Sequence, residues 1–254
     1  MNNHSTALPG DARAASAADA SAHTVDTTLP LRELTRALGA LCDVLEEEHP
    51  PVAVVRVVGP GPETSPGTPD AVTVQDVNRW ERVVRRFERT AVIKCLMVAG
   101  SCTGTALDLL LASDYRVAAP DLSLQPPRHD GRLWPGMSLY RLVRQAGVTE
   151  TRRLALRGEP VTAEQALRLG LVDEITDDQE AAARALSARF HGTAHEDFAV
   201  VRQLLLEAPS AEYEEALGVH LAACDRELRR RAAARDSAGD PVAALPDSGT
   251  EAAA

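Results

Sequence analysis

A chain of 254 residues, 44% of them apolar, is long enough for one large domain or two small ones and can enclose a sizeable core. Its formal net charge of −10 argues against the basic face that nucleic-acid binding needs, and no apolar run approaches the roughly 18 residues of a membrane span. The four scattered cysteines, Cys42, Cys95, Cys102 and Cys224, make no C-x-x-C pair and no metal-ligand spacing, so reduced thiols in a cytoplasm and no bound metal are expected.

Residues 1–22 are rich in Ala, Ser and Asp, without the basic flank and apolar centre of a secretory signal. Like residues 235–254 they carry too few large apolar side chains to offset ordering entropy, and both ends are expected to be disordered tails. Between them a core over 23–190 and a helical region over 191–234 are expected. Leu34, Leu38, Leu41 and Leu45 step by four, three and four, which predicts an amphipathic helix stopped by Pro50 and Pro51. VAVVRVV (52–58) is a continuous β-branched run and predicts a buried strand; GPGPETSPGTPD (59–70) predicts a mobile loop. Val77, Trp80, Val84 and Phe87 mark the next helix, with Asp76 as its expected N-cap.

AVIKCLMVAG (91–100) predicts a strand and YRVAAP a shorter one, with a Pro- and Gly-rich loop, LSLQPPRHDGRLWPG, after it. Thr162 and Gln165 form a capping box for TAEQALRL, and Gly170 ends that helix. LVDEI predicts a strand, Asp177 a cap for a helix reaching about Arg189, and Pro209 and Ser210 the start of a last helix. The apolar face of that last helix is Tyr213, Leu217, Leu221, Cys224 and Leu228. Strands alternating with helices predict an α/β protein with a parallel sheet, whose closing helices have no later strand to cover.

The stretch GSCTGTALD, Gly100 to Asp108, holds the chemistry. Thr105 and Asp108 are spaced as a capping box, which predicts a structural role as at least part of what the acid does. Gly100 and Gly104 break G-x-G-x-x-G, and Ser101 or Cys102 as a nucleophile has no histidine nearby in sequence. A strand turning sharply into a helix also presents unpaired N–H groups, which suit a developing negative oxygen such as a thioester enolate.

From Val92 to Ile175 the chain resembles the crotonase, or enoyl-CoA hydratase/isomerase, superfamily. The motifs are AVIKCLMVAG, SCTGTA and LDLLLASDYRVA in order, then WPGMSLYRLVRQAG, then LALRGEPVTAEQALRLGLVDEI. The resemblance implies a crotonase-like (ClpP/crotonase) spiral of ββα units with C-terminal helices for trimers or hexamers. It also implies an acyl-CoA thioester as ligand, so that coenzyme A comes with the substrate and no resident cofactor is needed. The family's first catalytic glutamate falls on Asp108, its oxyanion glycine on Thr105 beside Gly104, and its second glutamate on Arg128, which cannot act as a base. The second oxyanion donor is unplaced between Gly59 and Val74. His129 and Asp130 are candidate substitutes for the missing acid or simply solvated loop residues. Trp134, Gly136 and Tyr140 at the Pro-Gly turn are candidate acyl contacts, or core packing in the case of Trp134.

VNRWERVVRRFERTA, WPGMSLYRLVRQAG and the missing glutamate are similar to one branch, the DpgB-type accessory hydratase-like proteins of 3,5-dihydroxyphenylglycine biosynthesis. That implies a polyketide-CoA thioester as ligand and a type III polyketide synthase as partner, with a role in dehydration and aromatisation. Two alternatives stay open: a non-catalytic subunit that stimulates the synthase by contact, and an ordinary fatty-acid enoyl-CoA hydratase. Neither nucleic acid nor membrane is an expected partner.

Overall fold

The computed structural model describes residues 20–59, 72–190 and 195–237. The remainder of the expected tails (1–19 and 238–254) and nearly all of the expected loop at 59–70 lie outside the described residues. The described chain divides into two compact units after Ala199.

The first unit begins with β1 (Ala20–Asp26), α1 (Leu31–Glu48), β2 (Val52–Val58), α2 (Val74–Arg89), β3 (Ile93–Val98), β4 (Ser101–Cys102) and α3 (Gly104–Leu111). It continues through β5 (Tyr115–Ala118), β6 (Ser123–Leu124), β7 (Arg128–His129), β8 (Arg132–Leu133) and α4 (Met137–Arg157). Next come β9 (Val161–Thr162), α5 (Ala163–Arg168), β10 (Glu174–Ile175) and α6 (Gln179–Phe190). Then come α7 (His195–Glu207), a short 3-10 turn at Ala208–Ser210, and α8 (Tyr213–Ser237).

Five strands make one parallel sheet in the order β1-β2-β3-β5-β10, while β4-β6-β9 form a small second sheet and β7-β8 a hairpin. The run VAVVRVV is buried on both faces because alternate residues serve different layers. Ala53, Val55 and Val57 join Leu34, Leu38, Leu45, Trp80 and Phe87 of α1 and α2 in one core. Val52 and Val54 join Ile93, Cys95 and Met97 under Ala182, Ala183 and Leu186 of α6 in the other. The sheet is thus covered by helices on both faces, and the second sheet sits where β3 runs out.

Several local expectations shift. Residues 20–22 belong to β1, which pairs in parallel with β2 from Ala20 to Asp26, so the strand starts inside the segment read as tail. Asp76 is not the N-cap of α2. Thr73 is: its hydroxyl accepts from Asp76 N–H at 3.3 Å, and the Asp76 carboxylate accepts Thr73 N–H at 3.0 Å, closing a capping box one turn earlier. Asp178 rather than Asp177 caps α6, its Oδ1 accepting from Ala181 N–H at 2.8 Å. Pro209 and Ser210 lie in the 3-10 turn, and α8 begins at Tyr213. The loop expected to be irregular after YRVAAP contains β6 and the β7-β8 hairpin. The Thr162–Gln165 capping box forms as expected, and Gly170 takes φ 68°.

Candidate active site

The end of β3 and the start of α3 build the site's floor. Gly100 (φ 61°) and Gly104 (φ 56°) both adopt left-handed backbone, which a β-carbon disfavours, and so let strand become helix within a few residues. Thr103 is the N-cap, with no side-chain hydrogen bond, and Thr105 is the second helical residue. The spacing of Thr105 and Asp108 therefore makes no capping box: the N-cap lies two residues before the expected one, and Asp108 is one turn into the helix. Thr105 N–H belongs to the first turn, where donors have no acceptor four residues back within the helix.

Freed from capping, Asp108 points into a pocket of about 150 Å³. Leu31, Val72, Val77, Trp80 and Pro127 form apolar walls, while Glu81, Thr105, Asp108, Arg128, His129 and Ser138 supply polar atoms. Asp108 is 8% exposed. Its Oδ2 accepts the Trp80 indole N–H at 2.9 Å, and its Oδ1 stands 3.4 Å from Arg141 Nη1. Burial pushes the Asp108 carboxyl up to about 7; the Trp80 hydrogen bond pulls it down, nearby Glu81 raises it and Arg141 lowers it. Cys102, fully buried at the base, has its thiol pushed up to about 12 by that burial, which leaves it a poor nucleophile.

Arg128 lines the pocket, but its guanidinium is engaged at the end of α4 and in its own hairpin. Its guanidinium donates to Ala155 O and, at 3.1 Å, to Gly131 O, and a β-carbon on Gly158 would meet it at 2.9 Å. A cation on the last carbonyls of a helix is favoured by their partial negative charge. His129 lines the pocket with its side chain 39% exposed, and its Nε2 lies 3.2 Å from Asp130 Oδ2. Asp130 occupies the hairpin turn at φ 47°, its side chain solvated and outside the pocket lining.

Trp134, Gly104 and Gly136 line the pocket; Tyr140 does not, and its exposed hydroxyl accepts from Arg144 Nη1 at 3.0 Å. Gly136 permits a close approach: a β-carbon there would stand 2.8 Å from Trp134 Cδ1. The second oxyanion donor sought between Gly59 and Val74 falls largely on residues 60–71, outside the described residues.

Two charged residues of the site escaped the sequence reading: Glu81 on α2, which lines the pocket, and Arg141 on α4, which stands behind it, joined by a 2.8 Å ion pair. Both had a signal. Glu81 lies four residues after Val77 and three before Val84, on the apolar stripe, where a carboxylate needs a reason. Arg141 shares the buried face of α4 with Ser138 and Leu142.

Comparison with known proteins adds a family. Residues 71–234 match the family model described as enoyl-CoA hydratase/isomerase. An enoyl-CoA hydratase of Amycolatopsis orientalis is 44% identical over 200 residues, covering 77% of this chain and 89% of that protein. Among solved structures, an enoyl-CoA hydratase of Mycobacterium smegmatis superposes with a TM-score of 0.68 at 18% identity, over 81% of this chain and 86% of that one. Another, from Shewanella pealeana ATCC 700345, gives 0.67 at 20% identity, over 77% and 78%. The α/β fold with its parallel sheet is the crotonase-like one these neighbours share.

Proposed function

This chain belongs to the enoyl-CoA hydratase/isomerase family, and we propose that it binds a CoA-linked polyketide chain and helps to dehydrate and aromatise it. The observation that carries this reading is Asp108, a buried carboxyl that burial pushes up to about 7, beside the first-turn N–H of Thr105 in a largely apolar, tryptophan-lined pocket. The thioester or ketone oxygen of the substrate accepts from Thr105 N–H. Ionised Asp108 takes the proton from the adjacent carbon, and the electron pair left behind becomes an enolate on that oxygen. Collapse of the enolate forms the carbon–carbon double bond and expels the β-hydroxyl, which leaves as water with the proton Asp108 had taken. A group with a pKa near the working pH serves both steps.

Arg128, at the position the family uses for its second glutamate, is engaged with α4, so in this reading Asp108 alone moves the proton. The A. orientalis relative, an enoyl-CoA hydratase, supports the ordinary hydratase reading, and the branch-level motifs support dihydroxyphenylacetyl-CoA formation with a type III polyketide synthase. Coenzyme A arrives with the substrate, no other cofactor takes part, and the working form is a homotrimer or hexamer. The core over 23–190 performs the chemistry and the helical region over 191–234 the assembly.

The test is product analysis of such a synthase fed malonyl-CoA, with and without this protein. More aromatised dihydroxyphenyl product is expected with the parent and none of that increase with Asp108→Asn. No increase with the parent overturns the proposal. An increase that Asp108→Asn reproduces in full leaves only the subunit that acts by contact.

A further inference from the structure

The pocket is faced by two acidic side chains, and the second has a role that follows from where Arg141 leans, given Asp108 as the proton carrier of the proposed function. Glu81 follows Trp80 on α2 and its side chain is 19% exposed, while that of Arg141 on α4 is 8% exposed. Arg141 stands between the two carboxylates. Its Nη2 donates to Glu81 Oε2 at 2.8 Å, but its Nη1 is 3.4 Å from Asp108 Oδ1, at the outer edge of a hydrogen bond. A guanidinium keeps its charge at any pH a protein survives, and here it bonds closely to Glu81 and reaches Asp108 only at arm's length.

The remaining groups around Asp108 leave that choice to Glu81. The Trp80 indole from α2 is neutral, and burial keeps the Cys102 thiol of β4 protonated. Across the pocket on β7, Arg128 bonds to carbonyls of α4 and of its own hairpin, and His129 stands beside Asp130. Among the described residues, Arg141 is the cation within ion-pair reach of Asp108.

We propose that Glu81 is a positioning residue for Asp108: by drawing Arg141 to itself it leaves the Asp108 carboxyl able to exchange a proton with substrate. Replacing Glu81 by Gln acts twice in one direction. It removes a neighbouring negative charge, and it frees Arg141 to close on Asp108; both favour the ionised carboxylate.

The protein supplies its own probe. It has two tryptophans, so Trp134→Phe leaves Trp80, whose N–H bonds Asp108, as the only indole. In that background Trp80 fluorescence followed against pH reports the protonation of Asp108. Glu81→Gln is expected to lower the midpoint by about one pH unit or more, a tenfold change in acid constant. Adding Arg141→Gln should return it to the parental value or above, because both charges are then gone. Glu81→Asp, which keeps the charge, should shift it less than Gln does.

An unchanged or raised midpoint in Glu81→Gln, or a parent that shows no titration from mildly acidic to mildly alkaline pH, overturns the proposal. Should Glu81→Gln alone not fold, the double variant decides: a midpoint below the parental one overturns it. No substrate enters this titration, so it stands or falls apart from the synthase assay.

Discussion

The Trp80 indole N–H meets Asp108 Oδ2 at 2.9 Å and ties α2 to α3 through the pocket floor. An indole only donates, and a carboxyl oxygen accepts from it whether or not the other oxygen carries a proton. The bond therefore fixes the rotamer of Asp108 while leaving Oδ1 free to gain and lose the proton. The sheet orders this pair: Trp80 packs with Val84 and Phe87 on the same core that α3 enters with Leu107 and Leu110.

Stability should carry the signature of that buried acid. The Asp108 carboxyl titrates near 7 in the folded chain against an ordinary value of 3.8. Between those values the native state holds a proton that the unfolded chain has released, so stability falls as pH rises through this window, and the loss is complete above the folded value. A shift of that size is worth on the order of 4 kcal/mol. Asp108→Asn, neutral throughout, is expected to be more stable than the parent at mildly alkaline pH and close to it below the ordinary carboxyl range. Denaturant midpoints measured across pH check this; a difference that does not vary with pH would show that Asp108 does not titrate as described.

Arg128 should behave as a structural cation. Arg128→Ala removes its bonds to Ala155 O and Gly131 O, and a loss of about 1–2 kcal/mol is expected in thermal or chemical unfolding. Crotonyl-CoA hydration should be slow in both proteins, because losing one general acid–base group costs about 10²- to 10⁴-fold, or roughly 3–5 kcal/mol of barrier. Fast turnover by the parent would mean that another pocket acid, Glu81 first among them, replaces the second glutamate.

Gly136→Ala separates pocket from fold. Its φ of −83° suits any residue, so the substitution brings no backbone strain, only the approach of a β-carbon to within 2.8 Å of Trp134 Cδ1. Trp134 is 44% exposed and free to give way outward. The melting temperature should stay within a few degrees of the parent's, while tryptophan fluorescence changes and acyl-CoA affinity, read by calorimetry, falls. Unchanged affinity would remove Trp134 from the ligand contacts.

Long elements were legible because periodicity and burial agree in them. Leu34, Leu38, Leu41 and Leu45 all lie on the buried stripe of α1, and the β-branched run 52–58 is the second strand of the sheet. β1 was not, since ASAHTVD has little to distinguish it from the polar segment before it, and parallel pairing with β2 alone makes it a strand. Two-residue strands such as β6 and β9 are products of the tertiary fold and leave no periodic trace. In the site, Asp108 was found by motif, although its spacing from Thr105 suggested a cap. Glu81 and Arg141 were hidden because a single charge on an apolar stripe gains meaning only when its partner, 60 residues away, is brought to it.

The final helix makes the last prediction. Tyr213, Leu217, Leu221, Cys224 and Leu228 step by four, four, three and four along α8, forming one stripe, and all five are exposed. Leu221 is 58% and Leu228 61% exposed, and burying a leucine in full is worth about 1.5–3 kcal/mol, so a stripe of this length favours an assembly that covers it. Closed symmetry among identical copies is the usual solution, and a homotrimer or hexamer is the form proposed. Sedimentation velocity at micromolar concentration should show a species of three or six chains, and Leu221→Glu with Leu228→Glu should shift it towards monomer. Helical content should survive, because pairs within the helix, Arg229 with Asp225 and Arg231 with Glu227, are untouched. A parent that sediments as a stable monomer would sink the assembly, and an oligomer that the two glutamates leave intact would place its interface elsewhere than α8.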